Sequence, residues 1–231
     1  MKSILNIASA AAIALTLSAC DQPAPWARAA TAPEPAKIAL NQRSQVVAWN
    51  DDAQRFEING APLKAGRLWT FDGSTEGFVA GGGEVLPASP TGMDLRNGGT
   101  DSMLRSPKGL GLDGSRYSLV LVRLTRTRAG ADWDGSIFYS TAAHGEAGEY
   151  HAKPRDGADP AVNETVVLVY DMANLKKGGD DWTNSLIDQI RVDTDDQAGG
   201  GFVVHQIAVT ENPGVTALAQ APIGPTAIAQ R

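Results

Sequence analysis

Across residues 67–211, apolar and polar side chains alternate in short runs, each closed by glycine, aspartate or proline. Alternation with a period of two is the signature of a half-buried strand, because successive side chains point to opposite faces. It predicts strands at 68–71, 77–80, 84–87, 93–96, 103–106, 117–127, 136–140, 149–153, 164–170, 186–193 and 202–210. The run at 117–127 is the longest. Its two alternating sets, Tyr117, Leu119, Leu121, Arg123 and Ser118, Val120, Val122, Leu124, are both largely apolar, which predicts a central strand covered on both faces. No segment of this region carries the i, i+3, i+4, i+7 spacing of a long amphipathic helix, and no propeller or solenoid repeat is present. Many short strands with turn signals at near-regular spacing indicate an all-β fold, a single β-sandwich or jelly roll over residues 67–211.

The flanks follow other patterns. In 46–66, Val46-Val47-Ala48-Trp49 and Phe56-Glu57-Ile58 read as short accessory strands with a turn at Asn59-Gly60, either a separate hairpin or the first strand of the sandwich. Residues 20–45 and 212–231 are rich in alanine and proline and lack hydrophobic periodicity, as expected of a flexible linker and a disordered tail. Residues 1–19 run from Lys2 through an apolar stretch to small residues, the pattern of a secretory signal peptide too short to span a bilayer.

Composition narrows the partners. The formal charge is −6, and loss of the leader removes only Lys2, leaving −7. An acidic chain without basic clusters argues against nucleic acid and anionic headgroups as partners. A single cysteine leaves no internal disulfide, so stability must come from a core.

That cysteine stands at Leu17-Ser18-Ala19-Cys20, a segment that resembles the lipobox of bacterial lipoproteins. The resemblance implies acylation of Cys20, cleavage just before it, and a mature chain anchored to a membrane of the cell envelope, facing the periplasm or the exterior. Asp21 resembles the inner-membrane retention signal of enteric lipoproteins, so the resemblance leaves inner and outer membrane both open. Downstream, Leu68-Trp69-Thr70-Phe71-Asp72, Glu76-Gly77-Phe78, Met103-Leu104-Arg105-Ser106-Pro107, Ser136-Ile137-Phe138-Tyr139-Ser140, Trp182 with Ile187, and Val203–Val209 resemble in order and spacing the galactose-binding-like jelly rolls common among carbohydrate-binding modules. The resemblance implies that fold, buried positions for Trp69 and Trp182, and a polysaccharide or glycan as partner. It also implies a candidate structural calcium site between first and last strands, at Asp72, Glu76 and Glu211. Solvated turn acids are the alternative there, because no EF-hand spacing is present.

A glycan site needs an aromatic platform beside groups that hydrogen-bond hydroxyls. Asp132-Trp133-Asp134 has that composition, and Tyr139, Tyr150 and His151 follow on the next two expected strands. The alternative makes Trp133 a loop cap and the tyrosines core residues. The stretch His144-Gly145-Glu146-Ala147-Gly148-Glu149-Tyr150-His151 is the densest in titratable groups, yet it lacks zinc spacing, and the chain has no nucleophile-elbow motif. Gly81-Gly82-Gly83 and Gly199-Gly200-Gly201 read as loops rather than phosphate cradles. The sequence therefore predicts a lipid-anchored, non-catalytic carbohydrate-binding module. A structural or protein-interaction envelope lipoprotein is the alternative, and a polysaccharide lyase or glycosidase the enzyme alternative.

Overall fold

The structure is a computed structural model that describes residues 46–87 and 92–214; the expected leader, the Cys20 acylation site, the linker through residue 45 and the tail from 215 lie outside the described residues. Among the described residues fifteen strands follow one another: β1 (Val47–Asn50), β2 (Arg55–Ile58), β3 (Ala61–Pro62), β4 (Ala65–Trp69), β5 (Val79–Gly81), β6 (Gly83–Pro87), β7 (Met93–Asn97), β8 (Met103–Arg105), β9 (Leu112–Asp113), β10 (Tyr117–Arg128), β11 (Ile137–Thr141), β12 (His151–Ala152), β13 (Thr165–Asp171), β14 (Leu186–Asp193) and β15 (Gly201–Glu211). Short 3-10 turns occupy Arg155–Gly157 and Trp182–Asn184.

The strands form an all-β sandwich of the jelly-roll type. One six-stranded sheet runs β13-β10-β15-β7-β6, with β4 also paired to β15; the other runs β12-β11-β14-β8-β5, with β9 paired to β14. All of the strand pairs are antiparallel. The inward residues of both sheets meet in one core, with Met93, Leu95, Val120, Val122, Leu124 and Phe202 from the first and Leu104, Ile137, Ile190 and Val192 from the second. Trp69 and Trp182 are fully buried in it. The Trp182 indole N–H donates to the Tyr117 carbonyl at 2.9 Å, which satisfies the one polar atom of a large apolar side chain.

The two apolar sets of β10 have two different covers. Val120, Val122 and Leu124 face the sandwich core, whereas Leu119 and Leu121 point the other way. Over the second set lies a three-stranded meander, β1-β2-β3, whose Phe56 and Ile58 pack with Leu119, Leu121, Val169 and Ala208. Burying each leucine this way contributes about 1.5–3 kcal/mol. The meander turns at Asn59 (φ 49°) and Gly60 (φ 80°), the left-handed pair that a tight hairpin requires.

Two polar devices hold turns of the sandwich. Glu76 accepts the backbone N–H groups of Thr70 (2.9 Å) and Phe71 (2.7 Å), pinning buried Phe71 at φ 55°, a conformation costly for an aromatic residue. Near the start of β15, Arg126 donates to Asp195 at 3.0 Å, and the Asn97 amide donates to Asp195 at 3.3 Å and to Thr194 at 3.0 Å. Gly200 lies so close that an added Cβ would fall 1.7 Å from the Asp195 carboxylate. The second glycine triplet is thus a place where backbone meets a buried acid.

Candidate functional site

The outer face of the β12-β11-β14-β8-β5 sheet carries the arrangement with the most recognition chemistry. Register sets Phe138 opposite His151 on one side and Arg191 on the other, Arg191 opposite Arg105, and Arg105 opposite Val79. Their neighbours in each strand, Ile137, Tyr139, Val192, Leu104 and Ala80, pack into the core, so this row points outward by the parity of the pleat. The side chains touch along it. His151 stacks on Phe138 with centroids 5.1 Å apart, and the Arg191 guanidinium lies 4.5 Å from the Phe138 centroid, a cation–π distance.

Two arginines side by side repel, and carboxylates hold them together. Glu146 accepts both Nε and Nη2 of Arg105 at 2.8 Å and Nη1 of Arg191 at 3.1 Å. Asp193 takes Arg191 through both oxygens, with Nε at 2.6 Å. Burial works to raise the Glu146 carboxyl, but the hydrogen bonds from Arg105 and Arg191 overcome it and hold the group below the usual carboxylate range. Burial prevails at Asp193, which is pushed up to about 6 despite Arg191.

Beside the row opens a cleft of about 700 Å³ whose lining includes Arg105, Lys108, Ser140, Thr141, Glu146 and Asp188. Two bases face two acids, and hydroxyls complete the wall. Asp188 accepts the Gly109 N–H at 2.9 Å. His144, also in the lining, brings Nε2 to Asp181 at 2.9 Å and Nδ1 to the Gly145 carbonyl at 2.8 Å.

The residues expected to form a glycan platform are not brought together. His151 alone of the six stands on the outer row. Tyr139 is fully buried, edge-on to Trp182 at 4.9 Å, and donates its hydroxyl to Asp181 at 2.8 Å; burial, followed by that bond, pushes its ionisation well above the usual range. Tyr150 is half-buried and stacks on His144 at 3.5 Å. Trp133 is wedged 5.6 Å from Phe202 and 5.7 Å from the Arg126 guanidinium, with its indole N–H on the Ala158 carbonyl at 2.7 Å. Those contacts make it a packing residue at the Asp195 end of the sandwich, not an open platform. Asp134 binds Lys153 and the Ser136 N–H, and Asp132 occupies a left-handed turn at φ 60°.

The expected calcium ligands are likewise apart in role. Glu76 clasps the turn after β4, Glu211 pairs with Arg116 at 2.6 Å and Lys64 at 3.9 Å, and Asp72 is exposed. Among the described residues no three His, Cys, Asp or Glu side chains gather as a metal ion would need.

No protein-family model matches the sequence, and no curated protein matches it. Partial likeness to solved structures exists. A family 29 carbohydrate-binding module from Piromyces equi is 8% identical, with 63% of this chain and 91% of that one covered at a TM-score of 0.43. A family 11 carbohydrate-binding module of a cellulosomal cellulase of Clostridium thermocellum is 17% identical over 64% and 94%, at 0.38. A carbohydrate esterase from Shiga toxin-encoding bacteriophage phi24B is 12% identical over 65% and 99%, at 0.37. At these TM-scores the likenesses carry no argument; the sandwich stands on its own strand pairing.

Phe138, Arg105 and Arg191 carried no site assignment in the sequence, whereas Glu146 stood in the stretch densest in titratable groups. A signal for Phe138 did exist. Ile137 and Tyr139 share one face of their strand, and an apolar pair marks that face as the buried one, leaving Phe138 outside. The arginines had no such signal, because their partnership depends on which strands lie next to each other.

Proposed function

We propose that this protein is a lipid-anchored, extracytoplasmic, non-catalytic module that binds neutral polysaccharide along the outer face of the β12-β11-β14-β8-β5 sheet. The observation that carries this reading is the unbroken cross-strand row of His151, Phe138, Arg191 and Arg105 bordering an open, charge-balanced cleft. A sheet face is rigid and linear, and so presents fixed donors and acceptors to an extended chain of hydroxyls at little cost in ordering. The balance of two bases and two acids favours an uncharged ligand. Glu146, held ionised by two arginines, does not supply the raised carboxyl that a glycosidase's general acid needs, and Asp193, whose carboxyl is raised, is only 6% exposed and bonded to Arg191. Anchoring through Cys20 rests on the sequence resemblance, and two or three acyl chains would hold firmly where one is marginal.

Affinity electrophoresis of the full chain in non-ionic detergent, through gels containing a panel of neutral soluble polysaccharides, tests the reading. Retardation by at least one polysaccharide is expected, together with its loss in Arg105→Gln while thermal unfolding stays near that of the parent. No retardation by any member would turn attention to a protein partner. Release of reducing ends would contradict the non-catalytic assignment.

A further inference from the structure

Glu146 belongs to no strand. It lies in the loop of residues 142–150 that joins β11 to β12. That loop is fixed by contacts in which the Glu146 side chain has no part. The Thr141 N–H donates to the His144 carbonyl at 3.0 Å, the Tyr150 N–H to the Ala147 carbonyl at 2.9 Å, and the Tyr139 N–H to the Tyr150 carbonyl at 3.2 Å. The His144 ring stacks on Tyr150 as well. Glu146 is thus carried to the arginines by its loop. Its Oε1 accepts from Arg105 Nε and its Oε2 from Arg105 Nη2, and Oε2 also accepts from Arg191 Nη1. Such a two-point contact is how a guanidinium takes a carboxylate, whichever molecule carries it. The two arginines differ in their other partners. Arg191 is bonded to Asp193 through both oxygens and meets Asp101 at 3.4 Å. Among the described residues, the side-chain hydrogen bonds of Arg105 all go to Glu146. Arg105 is nevertheless 32% exposed in the cleft wall, beside exposed Lys108, and the other acid of that wall, Asp188, is engaged by the Gly109 N–H.

We propose that Glu146 determines the specificity of this face: from within the chain it fills the seat on Arg105 that the carboxylate of a uronic acid residue would otherwise take, and so excludes acidic polysaccharides. Two effects act together. The seat is occupied, and the charge that occupies it repels a second carboxylate brought within a few ångströms. An incoming carboxylate would make the same bonds while losing its translational freedom, whereas the tethered group has lost it already. Glu146 therefore wins that competition. The place of a polysaccharide on this face rests on the neutral-polysaccharide reading; the seat rests on guanidinium geometry alone.

The full chain and its variants, in non-ionic detergent, are run through gels containing polygalacturonate or its fully methyl-esterified form. The parent should pass polygalacturonate unretarded. Glu146→Ala empties the seat and should gain about tenfold in apparent affinity, the equivalent of one charge-assisted hydrogen bond, with no gain on the ester. Glu146→Gln keeps the shape of the side chain, removes its charge, and should gain in the same direction. Glu149→Gln makes the same change of net charge at an exposed acid of the same loop and should gain nothing. Adding Arg105→Gln to Glu146→Ala should abolish the gain. The assignment is overturned if the parent is retarded by polygalacturonate as strongly as Glu146→Ala, or if neither Glu146 variant gains while thermal unfolding shows it folded. An equal gain in Glu149→Gln, or one that persists without Arg105, would overturn it too. A parent that binds no neutral polysaccharide, alongside the gain in Glu146→Ala, would remove the neutral-polysaccharide reading and leave the seat assigned.

Discussion

Asp193 sets the pH response of the outer row at the scale of a single residue. Its side chain is 6% exposed and bonded to Arg191, and burial outweighs that partner to push the carboxyl up to about 6. In the unfolded chain the group returns to 3.8. Between the two values the folded protein keeps a proton that the unfolded chain releases. The stability contributed by this group is therefore complete below 3.8 and is lost as the pH rises through about 6. At full swing the shift amounts to about 3 kcal/mol. Melting temperatures of the parent and Asp193→Asn should diverge in the parent's favour as the pH is lowered from about 7 to about 4. A difference that stays flat over that interval would show that Arg191 keeps Asp193 ionised throughout. Protonating Asp193 also slackens its hold on Arg191, while Glu146 remains ionised and keeps the two arginines of the row together.

At the scale of elements, the meander of β1, β2 and β3 explains the longest strand. Leu119 and Leu121 could not face water in a central strand, and Phe56 and Ile58 cover them. Truncating Phe56, which is 2% exposed, removes that cover and leaves a cavity, at a cost of about 3 kcal/mol. The urea midpoint of Phe56→Ala should fall accordingly. Polysaccharide binding at the opposite sheet should survive wherever the variant is folded; simultaneous loss of both would mean that the meander supports the binding face. Strand positions were legible because alternation and glycine-rich turns mark them. The predicted runs at 186–193 and 117–127 correspond to Leu186–Asp193 and Tyr117–Arg128. The two-residue strands Ala61–Pro62 and Leu112–Asp113 had no periodicity to display and exist because a neighbouring strand pairs with them.

At the scale of the whole molecule, the proposed arrangement is a tether at Cys20 and a sandwich whose outer sheet face offers the recognition surface. Replacing Cys20 with serine should move the protein from the membrane fraction to the soluble one after cell fractionation, with neutral-polysaccharide binding retained. A variant that stays with the membrane would remove the lipid anchor from the proposal. Local properties of the chain determined the all-β character, the order of strands and the acidic charge, because periodicity and ionisation are written residue by residue; the buried positions of Trp69 and Trp182 came from the family resemblance. The choice between platform and packing for Trp133, Tyr139 and Tyr150 stayed open in the sequence for the converse reason: an aromatic residue looks the same there whether it opens to solvent or closes a core. Only the tertiary structure decided which face of β11 is outside and that Arg105 and Arg191 share Glu146. Those facts arise from strand register and loop closure between segments tens of residues apart, and no local pattern encodes them.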